Sequence, residues 1–451
     1  MKHSKPEAPE ETNAAGNPLP RNWISVIAII WCGQALSIFA TVAASFAAMW
    51  YITETTSSAI WLSLASMAAL LPVALLSPFG GVAADRYNRK HVIILADGSA
   101  GIFSFILALV IMSGHLSVPL MLLLLAVRTG GQAFHGPAMS ALMPHLVPER
   151  HLIRINSMDQ TITSLSSIIG PALGILLYTF IGLQGVMLLD AACAALACCC
   201  LGAVRITLNS PHASERKSVL QEMKEGCHFI LRDKGLRNLM LLVMFTMLLF
   251  MPVASLDPLM TYEHFKGDGF QASLVEAVFG VGLLVGSAAI LIWGGGSRRV
   301  PLIIVSGIVL GLSLAACGFL QSDQFPLFAV LVGISAAAIG CYNAPIMPIL
   351  QKRTPDEKFG RVMGIFLAGS SLAAPIGLSF SGFIAEAIGI TTWFIVCGTL
   401  VALCCALAGL VKIFAHSTPI MKRKATPRLL QQKLPFTHEK ATWPLQVNFY
   451  A

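Results

Sequence analysis

Long apolar runs separated by short polar turns dominate the chain. Scanning for apolar runs of about 20 residues predicts twelve membrane spans. They lie near residues 23–50, 59–83, 92–112, 118–142, 155–180, 184–204, 237–260, 271–293, 301–320, 326–349, 362–385 and 391–414. Because lipid offers backbone groups no water to bond, such runs favour helices over the alternating short strands of a barrel. The predicted fold class is an all-α membrane protein with twelve transmembrane helices in two six-helix halves.

Composition agrees with a membrane protein and argues against a soluble protein and against a nucleic-acid-binding protein. Hydrophobic residues make up 56% of the chain and charged residues only 12%, and the mean hydropathy is +0.75. A soluble chain could not keep that much apolar surface from water. The net charge of +8 would suit a nucleic-acid partner only if the cations gathered on one face of a soluble domain. Here they lie at the ends of the predicted helices.

The distribution of Lys and Arg predicts the orientation in the membrane. With the N-terminus inside, 28 of the 30 cations fall on the cytosolic side. Only Lys266 lies in an outer loop, and only Arg128 lies in the interior of a span, away from its ends. The positive-inside rule therefore predicts that both termini are cytosolic.

The longest internal polar stretch divides the chain in the middle. Within it, residues 219–231 place apolar and charged side chains on opposite faces at helical spacing, which predicts an interfacial helix. No cleaved signal peptide is evident. The predicted organisation is a disordered cytosolic tail at 1–21, a six-helix half at 22–205, a cytosolic linker with the amphipathic helix at 206–236, a second six-helix half at 237–416 and a cytosolic tail at 417–451.

Several kinds of chemistry are missing from the sequence. No Gly-Lys dipeptide occurs, so the phosphate-binding loop of ATP-driven proteins cannot be present. No His-Glu-x-x-His metal site occurs either, and no nucleophile motif stands out. The run Cys198-Cys199-Cys200 suggests lipidation or a metal site, but it lacks a second set of ligands, so small apolar packing residues are the preferred interpretation. We therefore expect no enzyme activity, no cofactor and no bound metal.

The motifs that remain occur in a fixed order. The polar turn between spans two and three reads Gly81-x-x-x-Asp85-Arg86-x-Asn88-Arg89-Lys90. It is followed by Arg128 in span four, Pro137-Ala138, Met143-Pro144-His145-Leu146-Val147-Pro148, Asn156-Ser157, and Gly170-Pro171-Ala172-Leu173-Gly174 in span five. These motifs resemble the major facilitator superfamily, and most closely its drug:proton antiporter branch, which holds macrolide efflux proteins and the enterobactin exporter. The resemblance covers nearly all of residues 22–415 in span count and layout.

This resemblance implies a secondary active transporter. It would export an amphipathic small molecule, either a drug-like compound or a siderophore-like metabolite, by proton antiport and alternating access. Two alternatives keep the fold: an importer of a siderophore, peptide or cell-wall fragment by proton symport, and a lysolipid translocase. The expected partners are a small-molecule substrate, protons and membrane lipids, without nucleic acid or nucleotide. We expect a monomer in the cytoplasmic (inner) membrane of a bacterium.

The turn after span two has a physical interpretation beside the resemblance. Gly81 is expected to permit close helix approach, and Asp85 to cap or pair at helix ends. The cations expected to anchor it to the anionic inner surface are Arg86, Arg89 and Lys90. Asn88 stands where the family usually has Gly, and Asn tolerates a left-handed turn. The resemblance implies a gating loop in which Asp85 meets the neighbouring half; the alternative is a topology anchor only.

Arg128 lies about midway along span four, where a lone cation costs roughly 2.5 to 3.5 kcal/mol. It should therefore face the interior and have a partner. Asp97 in the antiparallel span three is the nearest acid along the sequence and is the predicted partner. The pair is either a structural tie or a switch that protonation or substrate binding breaks. Asp190 and Asp257 lie near the outer ends of their spans, where they are further candidates for proton coupling or simply solvated acids.

Other candidate residues lie in spans one, four, five and seven. Gly170, Pro171 and Gly174 place a helix breaker and two small residues in mid-span, which predicts a kink and close packing. His135 either titrates near neutral pH or is a hydrogen-bonded packing residue. The predicted substrate cavity comprises Trp31, Gln34, Ser37 and Thr41 in span one and Met244, Phe245, Met247 and Phe250 in span seven.

Overall fold

The computed structural model describes residues 23–204, 219–293 and 299–410. Within those ranges the chain is helical, with short turns and no strand. The predicted tails at 1–21 and 417–451 and the first part of the linker lie outside the described residues, as does the side chain of Asp85.

In the described ranges, six helices precede the linker. They are α1 (Trp23–Thr56), α2 (Ala59–Arg86), α3 (Arg89–Met112), α4 (Val118–Gly130), α5 (Gln132–Leu146) and α6 (Leu152–Ala203). A 3-10 turn, Glu149–His151, precedes α6. In this first half α1 and α3 pack on α6, and α2 packs on α5.

The described ranges contain nine more helices, the first of them in the linker. They are α7 (Val219–Arg232), α8 (Lys234–Ser255), α9 (Asp257–Leu259), α10 (Gly269–Trp293), α11 (Arg299–Gly318), α12 (Phe325–Asn343), α13 (Ile346–Arg353), α14 (Asp356–Ile388) and α15 (Ile390–Leu410). A π-helical turn, Met260–His264, continues α9. In this second half α11 packs on α15, α10 on α12 and α8 on α14.

Ten helices in the described ranges are long and apolar enough to cross a membrane. One of them, Arg154–Ala203, contains the predicted span 155–180 and all but the last residue of the span 184–204. Gly182 interrupts it with φ 68° and ψ 173°, a left-handed φ that glycine adopts at no steric cost. The predicted boundary between spans five and six therefore coincides with a break in the helix.

The predicted span at 118–142 corresponds to two consecutive helices. The segment is divided into α4 and α5 at Gly131, and neither piece is among the ten long helices. Gly131 keeps helical dihedral angles (φ −61°, ψ −36°). Its carbonyl oxygen accepts from the N–H of Phe134 at 3.0 Å, the i→i+3 spacing of a tighter 3-10 turn. The helix is thus tightened at this point.

The predicted amphipathic helix of the linker is present as α7, and it docks on α14. Glu225 forms an ion pair with Arg361. The ammonium of Lys358 lies 5.1 Å from the ring centroid of Phe229, within the range of a cation–π contact. The end of the linker is therefore attached to the second half.

The two halves meet toward the predicted outer side. There α2 packs on α14, and α6 packs on α10. Trp50 of α1 and Tyr262 of the π-helical turn form an edge-to-face ring pair with centroids 5.8 Å apart. Toward the predicted inner side, by contrast, Gln160 and Thr161 of α6 are exposed. The halves are therefore in contact toward the outer side, and α6 presents polar side chains toward the inner side.

Candidate functional site

A buried ion pair joins Arg128 of α4 to Asp190 of α6. Asp190 Oδ2 accepts from Arg128 Nη2 at 2.8 Å and from Nε at 3.1 Å. The two side chains are 1% and 2% exposed. A cation at this depth is tolerated because its charge is neutralised and its donors are occupied.

Three hydroxyl groups complete this arrangement. Ser104 of α3 accepts from Arg128 Nε at 2.8 Å and donates to Asp190 Oδ2 at 2.5 Å. Thr41 of α1 donates to Asp190 Oδ1 at 2.9 Å, and Ser45 accepts from Arg128 Nη1 at 3.3 Å. We call these five residues the Arg128 network. It holds α1, α3, α4 and α6 together.

The prediction that Arg128 pairs with Asp97 was wrong. Asp97 lies seven residues before Ser104 on α3, which is roughly 10 Å along a helix axis. Ser104, not Asp97, therefore stands at the depth of Arg128, and the acid comes from α6. Asp190 is buried rather than solvated near the outer end of its span. Sequence spacing did not give the register between neighbouring helices.

Asp97 has different partners. Its Oδ1 lies 2.7 Å from His135 Nδ1 of α5, and its Oδ2 accepts from Gln34 Nε2 of α1 at 2.9 Å. His135 and Asp97 are 23% and 12% exposed, so neither side chain is as deeply buried as those of Arg128 and Asp190. A carboxylate and an imidazole in contact can share one proton. This pair is thus a second polar site, separate from the Arg128 network.

The remaining coupling candidate, Asp257, lies in the second half. It begins α9 and is buried. Its backbone carbonyl accepts from Thr261 Oγ1 at 2.9 Å. The structure does not bring it into the Arg128 network, whose members all belong to the first half, and its role in coupling stays a prediction.

Two of the three cations in the turn between α2 and α3 contact their own half. Lys90 Nζ donates to the carbonyl oxygens of Gly202 and Val204, at 2.7 Å each, where α6 ends. Arg89 Nη1 donates to the carbonyl oxygen of Ala141 of α5 at 3.0 Å. Basic groups at a helix C-terminus also favour the helix dipole. These contacts brace the loop against α5 and α6, while Arg86 is exposed.

Two local predictions for the loop were wrong. Asn88 is not left-handed: its φ is −63°, and its side chain accepts from the N–H of Lys90 at 3.1 Å. It is the N-cap of α3, a role that Asn fills through its side-chain oxygen. A Cβ at Gly81 would meet nothing within 4 Å, whereas one at Gly80 would collide with the carbonyl of Ala133. The close approach of α2 to α5 therefore occurs at Gly80.

Close packing at the span-five motif is present. A Cβ at Gly170 would lie 2.5 Å from Val42 Cγ1, and one at Gly174 would collide with the carbonyl of Ala43. Small residues here let α6 approach α1 directly. The dihedral angles stay helical at Pro171, and Gly182 has the non-helical angles within α6. A bend at Pro171 stays a prediction.

The predicted cavity residues of span one contribute mainly to internal packing. Gln34 and Thr41 bind Asp97 and Asp190, as described above. Trp31 packs in a buried cluster of the first half, and Ser37 is buried as well. The polar groups of α1 therefore hold the two acids in place.

In span seven the predicted cavity residues differ in how deeply they are buried. Phe250 is buried and stacks on Phe279, with ring centroids 6.2 Å apart. Met244 and Met247 are partly buried against the core of the second half. Phe245 is exposed. Of these four, Phe245 is the most open to a ligand or to lipid.

A polar stripe on α6 was not predicted. Its members recur at helical spacing and are exposed or half-buried: Ser157, Gln160, Thr161, Ser164 and Ser167. A row of polar side chains at membrane depth is costly against lipid but not against water. The stripe therefore indicates an aqueous surface at the predicted inner side. Its i, i+3, i+4 spacing in the sequence was the signal that could have revealed it.

No ion-binding cluster was found. Among the residues in the described ranges, no group of three His, Cys, Asp or Glu side chains is placed to hold a metal ion. Cys198 Sγ instead contacts the carbonyl oxygen of Ile94 at 3.5 Å.

Comparison with known proteins gives consistent matches. The family described as the Major Facilitator Superfamily matches residues 30–302 and 239–449. Macrolide efflux protein A of Streptococcus pyogenes is 34% identical over 387 residues, covering 86% of this chain and 95% of that protein. The multidrug efflux pump Tap of Mycobacterium tuberculosis is 28% identical over 376 residues, covering 78% and 87%.

The fold also matches solved structures. A POT family transporter in complex with a thioalcohol-conjugated peptide superposes with a TM-score of 0.67 at 15% sequence identity. The alignment covers 90% of this chain and 98% of that one. At this identity the likeness concerns the fold alone.

Proposed function

The chain belongs to the Major Facilitator Superfamily, and from that premise we propose that it exports amphipathic small molecules, macrolides among them, by proton antiport. It is a multi-pass membrane transporter and not an enzyme. The observation that carries the proton part of the proposal is the 2.7 Å contact between Asp97 and His135. Export is supported by the relatives named for macrolide efflux and for multidrug efflux.

The proposed topology has twelve spans with both termini in the cytosol. The ten long helices include one that Gly182 divides and that counts as two spans. Together, α4 and α5 count as one further span, which gives twelve. The cations at the helix ends support the orientation. The halves are residues 22–205 and 237–416, joined by the linker at 206–236.

We assign the coupling proton to Asp97 and His135 rather than to Asp190. Asp190 accepts hydrogen bonds from Arg128, Ser104 and Thr41. All of these stabilise the ionised carboxylate, and protonation would leave a buried guanidinium without its counter-charge. Asp97 and His135 are partly exposed, so a proton can reach them at smaller cost. The Arg128 network serves as the tie that keeps the first half rigid.

Proton release and substrate entry occur from the same side in this proposal. His135 lies on α5 four residues after Gly131, and the polar stripe on α6 faces the predicted inner side. An aqueous cavity there gives the Asp97–His135 pair access to the cytosol. When the halves rock, the pair gains access to the outside, where a higher proton concentration reloads it.

Transport in everted membrane vesicles tests the proposal. With an acidified lumen, vesicles carrying the protein should accumulate a radiolabelled macrolide, and a protonophore should abolish the accumulation. Vesicles without the protein control for passive partition of the macrolide into lipid. Accumulation that the protonophore leaves unchanged would exclude proton coupling. Accumulation in right-side-out vesicles with an acidic exterior would show that the protein imports the macrolide by proton symport.

A further inference from the structure

We propose that the protein carries a second ligand site on its outer face, which binds aromatic organic cations while the halves are closed there. The site is a cavity of about 750 Å³, within the size range of sites for small molecules. It is separate from the acids that couple transport. The inference rests on the proposed function, from which it takes the orientation in the membrane. It uses neither Asp97 nor His135, the residues to which that function assigns the proton.

Both halves contribute walls to this outer cavity. The first half supplies residues of α1 and α6, among them Trp50, Glu54 and Tyr178. The second half supplies Tyr262 of the π-helical turn and Asp268, which precedes α10. A cavity built in this way exists only while the two halves are in contact on the outer side.

The floor of the outer cavity is apolar and closed. Phe46, Trp50, Ile175 and Ala272 form a buried cluster, against which Tyr178 and Tyr262 pack. Phe46 lies one turn deeper on α1 than Trp50, so the cluster separates the cavity from the interior of the bundle. A ligand in the cavity is therefore reached from the outer side and not from the cytosol.

The side chains in the walls favour a positive ligand. Trp50, Tyr51, Tyr178 and Tyr262 all line the cavity, and aromatic faces attract cations. Glu54 and Asp268 add negative charge, and no Lys, Arg or His is among the lining residues. An amine or quaternary ammonium on an aromatic or apolar body fits this combination.

The acids keep free acceptor oxygens for such a ligand. Glu54 Oε2 accepts from the hydroxyl of Tyr178 at 2.8 Å, which fixes its position. Asp268 Oδ1 accepts from the N–H of Gln271 at 2.9 Å. The second oxygen of each carboxylate has no hydrogen bond from another residue in the described ranges. Each half thus offers one carboxylate to a cation in the cavity.

Binding across the two halves has a mechanical consequence. A ligand can shift a conformational equilibrium only by its differential affinity for the two states. Because this cavity loses one wall when the outer side opens, a bound cation stabilises the closed state. An external cation should therefore slow export without competing for the cytosolic substrate site.

Quenching of tryptophan fluorescence by methyl viologen tests the site on the purified protein in nanodiscs. Methyl viologen is an aromatic dication that does not cross membranes and quenches tryptophan on contact. We expect saturable quenching that is lost in Trp50→Phe. Glu54→Gln and Tyr262→Leu should each raise the dissociation constant at least about threefold. Asp323→Asn is the matched control, because it removes an exposed outer acid that does not line the cavity.

Two results would overturn the site. One is quenching that is unchanged in both Glu54→Gln and Tyr262→Leu. The other is equal binding of neutral 4,4′-bipyridine, which would make the cavity merely apolar. In everted vesicles with methyl viologen in the lumen, the maximal export rate should fall while KM for the macrolide stays constant. An unchanged rate at saturating methyl viologen would contradict the stabilised closed state.

The site and the proposed function can fail separately. Quenching does not require transport, so binding without macrolide export would leave the site in place and remove the function. Proton-driven export without quenching would remove the site and leave the proposed function in place.

Discussion

The carboxylate of Glu386, at the end of α14, caps the first turn of α2 in the other half. Its Oε2 accepts from Ser58 Oγ at 3.0 Å and from the N–H of Ile60 at 3.3 Å. The first N–H groups of a helix have no partner within the helix. A side chain from the second half thus supplies the cap of a helix in the first half, and the contact is lost if the halves separate.

Glu386→Gln should loosen the outer closure. The amide keeps an acceptor but loses the charge that favours a helix N-terminus. Losing a favourable charge at a helix N-terminus costs about 0.3–1 kcal/mol, so hydrogen exchange at the start of α2 should accelerate roughly two- to fivefold. Mass spectrometry of a peptide covering residues 57–66 measures this. Asp323→Asn should leave the exchange unchanged, and equal rates in Glu386→Gln and the wild type would refute the cap.

Asp97→Asn should uncouple transport from protons. The amide fills the same volume but cannot form an ion pair with a protonated His135. We expect proton-driven accumulation of the macrolide to fall at least tenfold while counterflow of labelled against unlabelled macrolide persists. His135→Gln should have the same effect, because both groups hold the same proton. Retained accumulation in both variants would assign the coupling elsewhere, with Asp257 as the next candidate.

Removing one member of the Arg128 network should destabilise the protein more than removing two. Arg128→Met alone leaves Asp190 buried without a counter-charge, at a cost of about 3–5 kcal/mol. In the double variant Arg128→Met, Asp190→Leu no unpaired charge remains. The melting temperature in detergent should fall clearly in Arg128→Met and recover in part in the double variant. A double variant less stable than Arg128→Met would argue against a structural tie.

Two glycine substitutions should differ sharply in their effects. Gly174→Ala places a methyl group against the carbonyl of Ala43, and such overpacking costs roughly 1–3 kcal/mol. Gly81→Ala lies inside α2 with nothing within 4 Å of the new methyl, so it should be neutral or stabilise the helix by up to about 1 kcal/mol. The melting temperatures of both variants and the wild type, measured in the same detergent, test this difference. A drop for Gly81→Ala as large as that for Gly174→Ala would contradict the described packing.

The segment from Gly81 to Lys90, which ends α2 and begins α3, shows how far local patterns reach. Its place between two spans and its cations followed directly from the sequence. That Lys90 binds the end of α6 could not be anticipated, because Gly202 and Val204 lie more than 100 residues away in the chain. The contact of Asp85 with the neighbouring half, which the family resemblance implies, stays a prediction.

The sequence by itself determined the membrane class, the positions of nearly all the spans, the amphipathic linker helix and the expected family. These depend on local rules, since the thickness of the bilayer and its lack of water act on each segment separately. Only the tertiary structure decided that Arg128 meets Asp190, that Asp97 meets His135, and that Gly80 rather than Gly81 touches α5. Each of those contacts depends on the rotation and relative depth of neighbouring helices. One residue turns a helix face by about 100°, so that small differences in register exchange one partner for another.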